Sequence, residues 1–109
     1  TPLMCASANA VLSVVNDPKF LTSVREKGAY LRERILGLGS PDIKGVRGMG
    51  LMLAILVDAA RRAGFVNALI EKGVLPLTAG ADAIRLLPPL TISYAEMDAA
   101  IEIMKEVFA

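Results

Sequence analysis

The segment IKGVRGMGLMLAILV, residues 43–57, constrains the fold of this chain most. Its first half is rich in glycine, and its second half is a continuous run of aliphatic residues. Glycine permits tight bends, and aliphatic runs of this length are typical of strands. The pattern therefore predicts two extended segments around a glycine bend, and it predicts that residues 51–57 form a strand covered on both faces.

Helical patterns precede this segment. Asp17 is suited to cap a helix that begins at Pro18, where a missing N–H costs nothing. The predicted helix has an apolar stripe at alternating spacings of three and four, which consists of Leu21, Val24, Gly28, Leu31, Ile35 and Leu38. Gly37, Gly39 and Pro41 end it. An earlier helix over residues 3–15 has Met4, Ala8, Val11, Leu12 and Val15 on one side.

After the central segment, Asp58 is expected to cap a helix that ends near Lys72, with Gly73 as its C-terminal cap. The inward residues of this helix are predicted to be Val66, Leu69 and Ile70.

VLPLT and AIRLL are predicted to form two short strands joined by a turn at AGAD. A capping box of Ser93 and Glu96 opens the last helix, whose stripe is Met97, Ala100, Ile101, Met104, Val107 and Phe108. The order ααββαββα predicts an α+β fold with helices packed on a small, mainly antiparallel or mixed sheet.

Composition excludes several classes of function. The 12 basic and 11 acidic residues nearly cancel, which argues against a nucleic-acid partner. Without histidine and with Cys5 alone, the chain cannot assemble the usual zinc ligand sets or an internal disulfide. Cysteine usage favours a reducing, cytoplasmic location, and no uncharged apolar run reaches the roughly 18 residues of a membrane span. The first residue is Thr1 rather than methionine, which suggests a processed product or a fragment.

Self-contained catalytic chemistry is not indicated. Cys5 has no histidine to activate it and is predicted to be a buried, inert thiol. GVRGMGLM lacks the spacing of a phosphate-binding loop, so Arg47 within it is expected to be solvated or bonded to carbonyl groups, with anion binding as the alternative. The methionines at 49, 52, 97 and 104 are predicted to fill the core. No catalytic, metal-ligating or cofactor-binding residue is assigned.

Arg85 is different because it lies inside an apolar predicted strand. Alternation places Ala83, Arg85 and Leu87 on one face of that strand, where only Arg85 is polar. Burying a guanidinium without a counter-ion is costly, so its charge must reach water, a carboxylate or an anionic ligand. Two interpretations stay open from the residues alone: an edge strand whose arginine extends to solvent, and an anion-binding arginine.

The motifs of the chain also resemble a known family. TPLMCASANAVL, VRGMGLMLAI, LIEKGVL, LTAGADAIRLLPPLTIS and EMDAAIEIMKEVF follow one another as in class III pyridoxal-phosphate-dependent aminotransferases. The resemblance covers essentially the whole chain, and RLLPPL with its upstream LTAG is its most specific part. RLLPPL is most similar to the members that use N-acetylornithine. Members that act on ornithine, succinylornithine, 4-aminobutyrate or glutamate-1-semialdehyde share much of the pattern.

The resemblance implies a fragment of a fold type I enzyme. Residues 1–16 would be a linking helix from a large domain, and residues 17–109 the C-terminal small domain. The lysine, the aspartate and the stacking aromatic residue that hold pyridoxal phosphate would lie in the large domain. This chain would therefore bind no cofactor and be inactive alone, while the full-length parent would be a homodimeric transferase.

The resemblance also implies a role for Arg85. It matches the small-domain arginine that binds the α-carboxylate of glutamate or 2-oxoglutarate, and that a large-domain glutamate can hold when another substrate is bound. Thr78, Ala79 and Gly80 would help to line the entrance of the site, and a plain turn is the alternative explanation for them. The expected parent reaction moves an amino group from N-acetylornithine to 2-oxoglutarate in arginine biosynthesis. The alternative from another class is a freestanding, non-enzymatic α+β module that uses Arg85 to sense a carboxylate.

Overall fold

The helices and strands follow the predicted order. The computed structural model of the chain describes residues 2–74 and 76–108. Its helices are α1 (Pro2–Val15), α2 (Pro18–Leu36), α3 (Arg62–Glu71) and α4 (Tyr94–Val107), and its strands are β1 (Gly45–Met49), β2 (Met52–Leu56), β3 (Leu77–Ala79) and β4 (Ala83–Leu86). Of the predicted strand VLPLT, Leu75 lies outside the described residues. The α+β class and the order ααββαββα are confirmed.

The four strands form one sheet in the order β1-β2-β4-β3. Every pair of neighbours is antiparallel, with Met49 opposite Met52 across the glycine bend. Because β4 has a neighbour on each side, the interpretation of its segment as an edge strand is wrong.

The hydrophobic core lies between one face of this sheet and helices α2, α3 and α4. The strands contribute Val46, Leu53, Ile55, Ile84 and Leu86, and the helices contribute Leu31, Ile35, Phe65, Leu69, Met97, Ile101 and Met104, with Phe108 just beyond α4. Phe65, whose position the stripe analysis missed, packs on Phe108 with ring centroids 4.8 Å apart. Ile70 was predicted to point inward but is 45% exposed, because the inner face of α3 follows Phe65 and Leu69 at a spacing of four.

The helix ends agree with the sequence analysis except at α3. Asp17 accepts a hydrogen bond from the backbone N–H of Lys19 at 2.8 Å, as an N-cap should. Asp58 instead accepts from the N–H of Ala60, and α3 starts only at Arg62, so the predicted cap is wrong. Asp58 stabilises the turn before the helix, which delays the helix start. Gly73 has a φ of 96° and ends α3 as predicted.

Helix α2 approaches the β1–β2 turn very closely. A Cβ atom on Gly28 would lie 2.1 Å from the carbonyl oxygen of Gly50, so only glycine fits there. Further along α2, the Tyr30 hydroxyl donates to Asp98 of α4, and Arg34 bonds both of these residues at 2.8 and 3.0 Å. These contacts fix α2 against both the sheet and α4.

Helix α1 stands apart from this core. Leu3 is 78% exposed and Val11 is 61% exposed, and among the described side chains of α1 only Val15 is partly buried. Cys5 is exposed, which overturns the prediction of a buried thiol. Among the described residues, α1 has its main contact with α2 and contributes no described side chain to the core. Within residues 2–74 and 76–108, no helix is both long and apolar enough to cross a membrane.

Candidate anion-binding face

Two arginines lie in one row across the sheet. Arg47 of β1 pairs with Ala54 of β2, Ala54 pairs with Arg85 of β4, and Arg85 pairs with Leu77 of β3. Side chains of directly opposed residues share a face of the sheet, so Arg47 and Arg85 project from the same face. They are two strand spacings apart, which places their Cα atoms about 10 Å from each other.

This row lies on the face opposite the core. The residues that alternate with it, including Val46, Ile55 and Ile84, are those buried under the helices. Residues 51–57 were predicted to be covered on both faces, which is wrong for the described chain. Leu53 and Ile55 are buried, but Met52 is 62% exposed.

Apolar side chains surround the two arginines. Exposed large hydrophobic residues at or beside the row are Met49, Met52, Leu77 and Leu87. The prediction that four methionines fill the core is therefore correct for Met97 and Met104 and wrong for the other two. A sheet face with this much exposed apolar surface is typical of a surface that another part of a protein covers.

Neither Arg47 nor Arg85 has a hydrogen-bond or ion-pair partner among the residues that the structure describes. Three other arginines are held: Arg34 by Asp98, Arg61 by Asp42, and Arg62 by the carbonyl of Gly80. Because Ala54 between them is small, Arg47 and Arg85 border a shallow depression of about 170 Å³, together with Gly48, Met52 and Leu53. Two exposed guanidinium groups beside one depression can bind carboxylates through paired hydrogen bonds.

The structure does not bring Thr78 next to Arg85. Thr78 pairs with Ile84, whose side chain is on the core side, so Thr78 and Arg85 belong to opposite faces of the sheet. Gly80 lies in the β3–β4 turn with a φ of 61°, and its carbonyl accepts a hydrogen bond from Arg62. That Thr78 and Gly80 line the entrance of a site stays a prediction.

Several ionisable groups with shifted pKa values lie on the helices instead. The hydrogen bond to Asp98, with some burial, raises the pKa of Tyr30. Hydrogen bonds from the backbone and hydroxyl of Ser93 lower the pKa of Glu96, and the Lys72 ammonium lowers that of Glu106. These groups stabilise helix ends and helix contacts, and none of them borders the depression at Arg85.

The position of Arg47 beside Arg85 was not predicted from the sequence. The glycine bend could have indicated half of this arrangement, because a hairpin that pairs Met49 with Met52 also places Arg47 opposite Ala54. The pairing of β2 with β4, however, joins segments about 30 residues apart and has no local signature. Only the three-dimensional structure brings the second arginine to the candidate site.

Comparison with known proteins identifies the family. The family model described as Aminotransferase class-III matches residues 1–108. The chain belongs to the class III aminotransferases. It is 42% identical over 108 residues to acetylornithine aminotransferase of Bacillus subtilis, covering 98% of this chain and 28% of that protein. Ornithine aminotransferase of Macrococcus caseolyticus is 37% identical, with 99% and 27% covered.

The fold agrees with this membership. The crystal structure of acetylornithine aminotransferase from Elizabethkingia anophelis superposes with a TM-score of 0.87 at 34% identity, covering 98% of this chain and 30% of that one. The chain thus spans about 28% of the curated relatives it matches.

The described lining of the depression at Arg85 does not fit pyridoxal phosphate. That cofactor is held by a lysine, and no lysine borders the depression at Arg85. Lys72 is paired with Glu106 on the outer surface of the helices, Lys19, Lys44 and Lys105 are exposed, and Lys27 is half-buried on α2. Among all the residues that the structure describes, no three histidine, cysteine, aspartate or glutamate side chains cluster as a metal site would require.

Proposed function

We propose that this chain is the carboxylate-binding part of a pyridoxal-phosphate-dependent aminotransferase that moves an amino group from N-acetylornithine to 2-oxoglutarate. The observation that carries the proposal is Arg85, an exposed arginine that lies on an open, apolar sheet face and has no partner among the residues the structure describes. Membership of the class III aminotransferases supports an enzyme over a freestanding sensing module.

Arg85 would bind the α-carboxylate of glutamate or 2-oxoglutarate. Its planar guanidinium offers two parallel N–H groups to the two oxygens of a carboxylate. β4 lies inside the sheet between β2 and β3, and Ile84 and Leu86 on either side of Arg85 are buried in the core. A rigid strand of this kind orients the guanidinium and thereby the substrate. When bound elsewhere in the parent enzyme, pyridoxal phosphate supplies the carbanion chemistry.

The names of the relatives support the choice of amino donor. The B. subtilis and E. anophelis proteins are acetylornithine aminotransferases, and the M. caseolyticus protein is an ornithine aminotransferase. N-Acetylornithine is therefore the proposed donor, and ornithine is the alternative. In this proposal the parent is a homodimer, and residues 1–16 link the large domain to the small domain of residues 17–109. Within these ranges, Thr1, Leu75 and Ala109 lie outside the described residues.

Substitution of Arg85 in the full-length parent tests the role of this residue. We expect Arg85→Lys and Arg85→Gln to raise the KM for 2-oxoglutarate by about tenfold or more, because a bidentate carboxylate contact is lost, with cofactor binding unchanged. Arg32→Gln on the exposed side of α2 is the matched control and should leave KM unchanged. An unaltered KM in both Arg85 variants would refute the assignment.

The isolated chain provides a second test. Mixed with pyridoxal phosphate, N-acetylornithine and 2-oxoglutarate, it should form no glutamate, because the cofactor-binding lysine would lie outside these 109 residues. Glutamate production above the level of free pyridoxal phosphate would disprove this part of the proposal.

A further inference from the structure

Arg47 has no function in the proposed reaction, although it shares the open face with Arg85. It is exposed on the edge strand β1, and it has no partner among the described residues. No carboxylate of the described residues lines the depression that it borders. Met52, which lines this depression, is 62% exposed, and Met49, two residues after Arg47 in β1, is 87% exposed.

Covering this face would remove both the methionines and Arg47 from water. Burial of the apolar side chains favours such a cover, but a guanidinium that loses its water without gaining a counter-ion opposes it. A cover that brings a carboxylate to Arg47 satisfies both requirements. The charge and the apolar surroundings therefore specify a cover that is apolar and carries an acidic group.

A second copy of this chain is a poor candidate for that cover. In a symmetric dimer through this face, both arginines of one copy would meet the same face of the other copy, and the described lining of the depression on that face has no carboxylate. The chain spans only 28% of its B. subtilis relative, so most of a parent enzyme of that size lies outside these residues.

We propose that an acidic segment of the parent enzyme, outside residues 1–109, docks on the open face and that its carboxylate pairs with Arg47. The inference rests on the proposed function, since it takes the chain to be part of a larger aminotransferase. Arg47 is then a positioning residue, which holds the sheet against the rest of the enzyme while Arg85 binds the substrate. Their separation of about 10 Å between Cα atoms leaves room for two different carboxylates.

The test uses variants of the full-length parent. Arg47→Gln should lower kcat/KM for the amino donor and for 2-oxoglutarate by a similar factor of about ten or more, because docking serves both half-reactions and a charged partner is left unpaired. Arg47→Lys keeps the charge and should recover part of the loss. Arg32→Gln, on exposed α2, is the control and should leave both values unchanged.

Hydrogen exchange separates docking from a structural role inside this chain. In Arg47→Gln, the amides of β1 should lose protection, whereas the core amides of α2 and α4 should keep theirs, since Arg47 bonds to neither helix. Loss of protection throughout α2 and α4 would mean that Arg47 stabilises the small domain itself and would overturn the proposal.

The two proposals fail in different ways. If Arg47→Gln raises only the KM for 2-oxoglutarate, Arg47 binds substrate and the docking inference is wrong. If it behaves like Arg32→Gln, the docking inference is wrong while the role of Arg85 stands. If Arg85→Gln has no effect but Arg47→Gln lowers kcat/KM for both substrates, the docking inference is supported and the substrate role of Arg85 is wrong.

Discussion

At the scale of single residues, the tightest constraint in the chain is the approach of Gly28 to Gly50. Gly28 lies in the middle of α2 and is buried, and the backbone of the β1–β2 turn fills the space where its side chain would be. A helix normally loses stability by having glycine in its interior. Here the close approach lets α2 pack directly on the turn that connects Arg47 of β1 to Ala54 of β2.

Gly28→Ala should therefore destabilise the chain, in contrast to the usual effect of alanine in a helix. Its Cβ would lie 2.1 Å from a backbone oxygen that cannot turn aside, so α2 must move, at a cost of about 1–3 kcal/mol or more. Gly64→Ala in α3 is the matched control, because nothing lies within 4 Å of its Cβ position. The control should be neutral or stabilising by up to about 1 kcal/mol.

Urea denaturation of the two variants measures this difference in the free energy of unfolding. Equal midpoints for Gly28→Ala and Gly64→Ala would show that the β1–β2 turn yields easily and that the close packing contributes little.

At the scale of secondary-structure elements, the capping box defines where α4 begins. The Ser93 hydroxyl accepts from the N–H of Glu96, and the Glu96 carboxylate accepts from the N–H of Ser93, both at 3.1 Å. The box fixes the first turn of a helix that supplies Met97 and Ile101 to the core. Ser93→Ala should cost about 1 kcal/mol of unfolding free energy.

The pKa of Glu96 makes the box pH-dependent. Hydrogen bonds from Ser93 hold that pKa below its ordinary value of 4.5. The stabilisation is therefore fully present above pH 4.5 and is lost as the pH falls through the lowered pKa. Glu96→Gln keeps a capping amide but cannot titrate, so between pH 6 and pH 3 it should lose less stability than the unmodified chain.

Glu102→Gln, on the exposed side of α4, is the control for this pH dependence and should lose stability in parallel with the unmodified chain. Urea midpoints at the two pH values give the comparison. If the urea midpoint of Glu96→Gln falls with pH as much as that of the unmodified chain, Glu96 is not the source of the pH dependence.

Local signals predicted most elements, because caps and bends depend on neighbouring residues. Asp17, the glycine bend, Gly73 and the capping box were all read correctly from the sequence. The helix cap predicted at Asp58 was wrong because an aspartate can stabilise a turn as well as cap a helix. The inward position predicted for Ile70 was wrong because the predicted stripe of α3 omitted Phe65.

At the candidate site, Arg85 was recognised by its apolar neighbours. The position of Arg47 depended on the pairing of β2 with β4, which no local pattern encodes.

At the scale of the whole molecule, the chain combines a complete core with two apolar surfaces that it does not cover. One is the open sheet face, and the other is α1. The molecule measures 49 × 27 × 22 Å, which is elongated for its size. No described side chain of α1 belongs to the core cluster, although Leu3, Met4, Val11, Leu12 and Val14 are all large, apolar and more than half exposed. These surfaces agree with a domain shaped to pack against the rest of an enzyme.

Deletion of residues 1–16 tests whether α1 is a separate linking helix. The shortened chain should keep the thermal midpoint of the 109-residue chain to within a few degrees, because its core loses no member, and it should self-associate less in sedimentation experiments. Replacing Leu12 with glutamate in the full chain should also reduce self-association without shifting the midpoint, since Leu12 is 52% exposed. A large fall in the midpoint on deletion would place α1 within the folding unit, and the boundary at residue 16 would then be wrong.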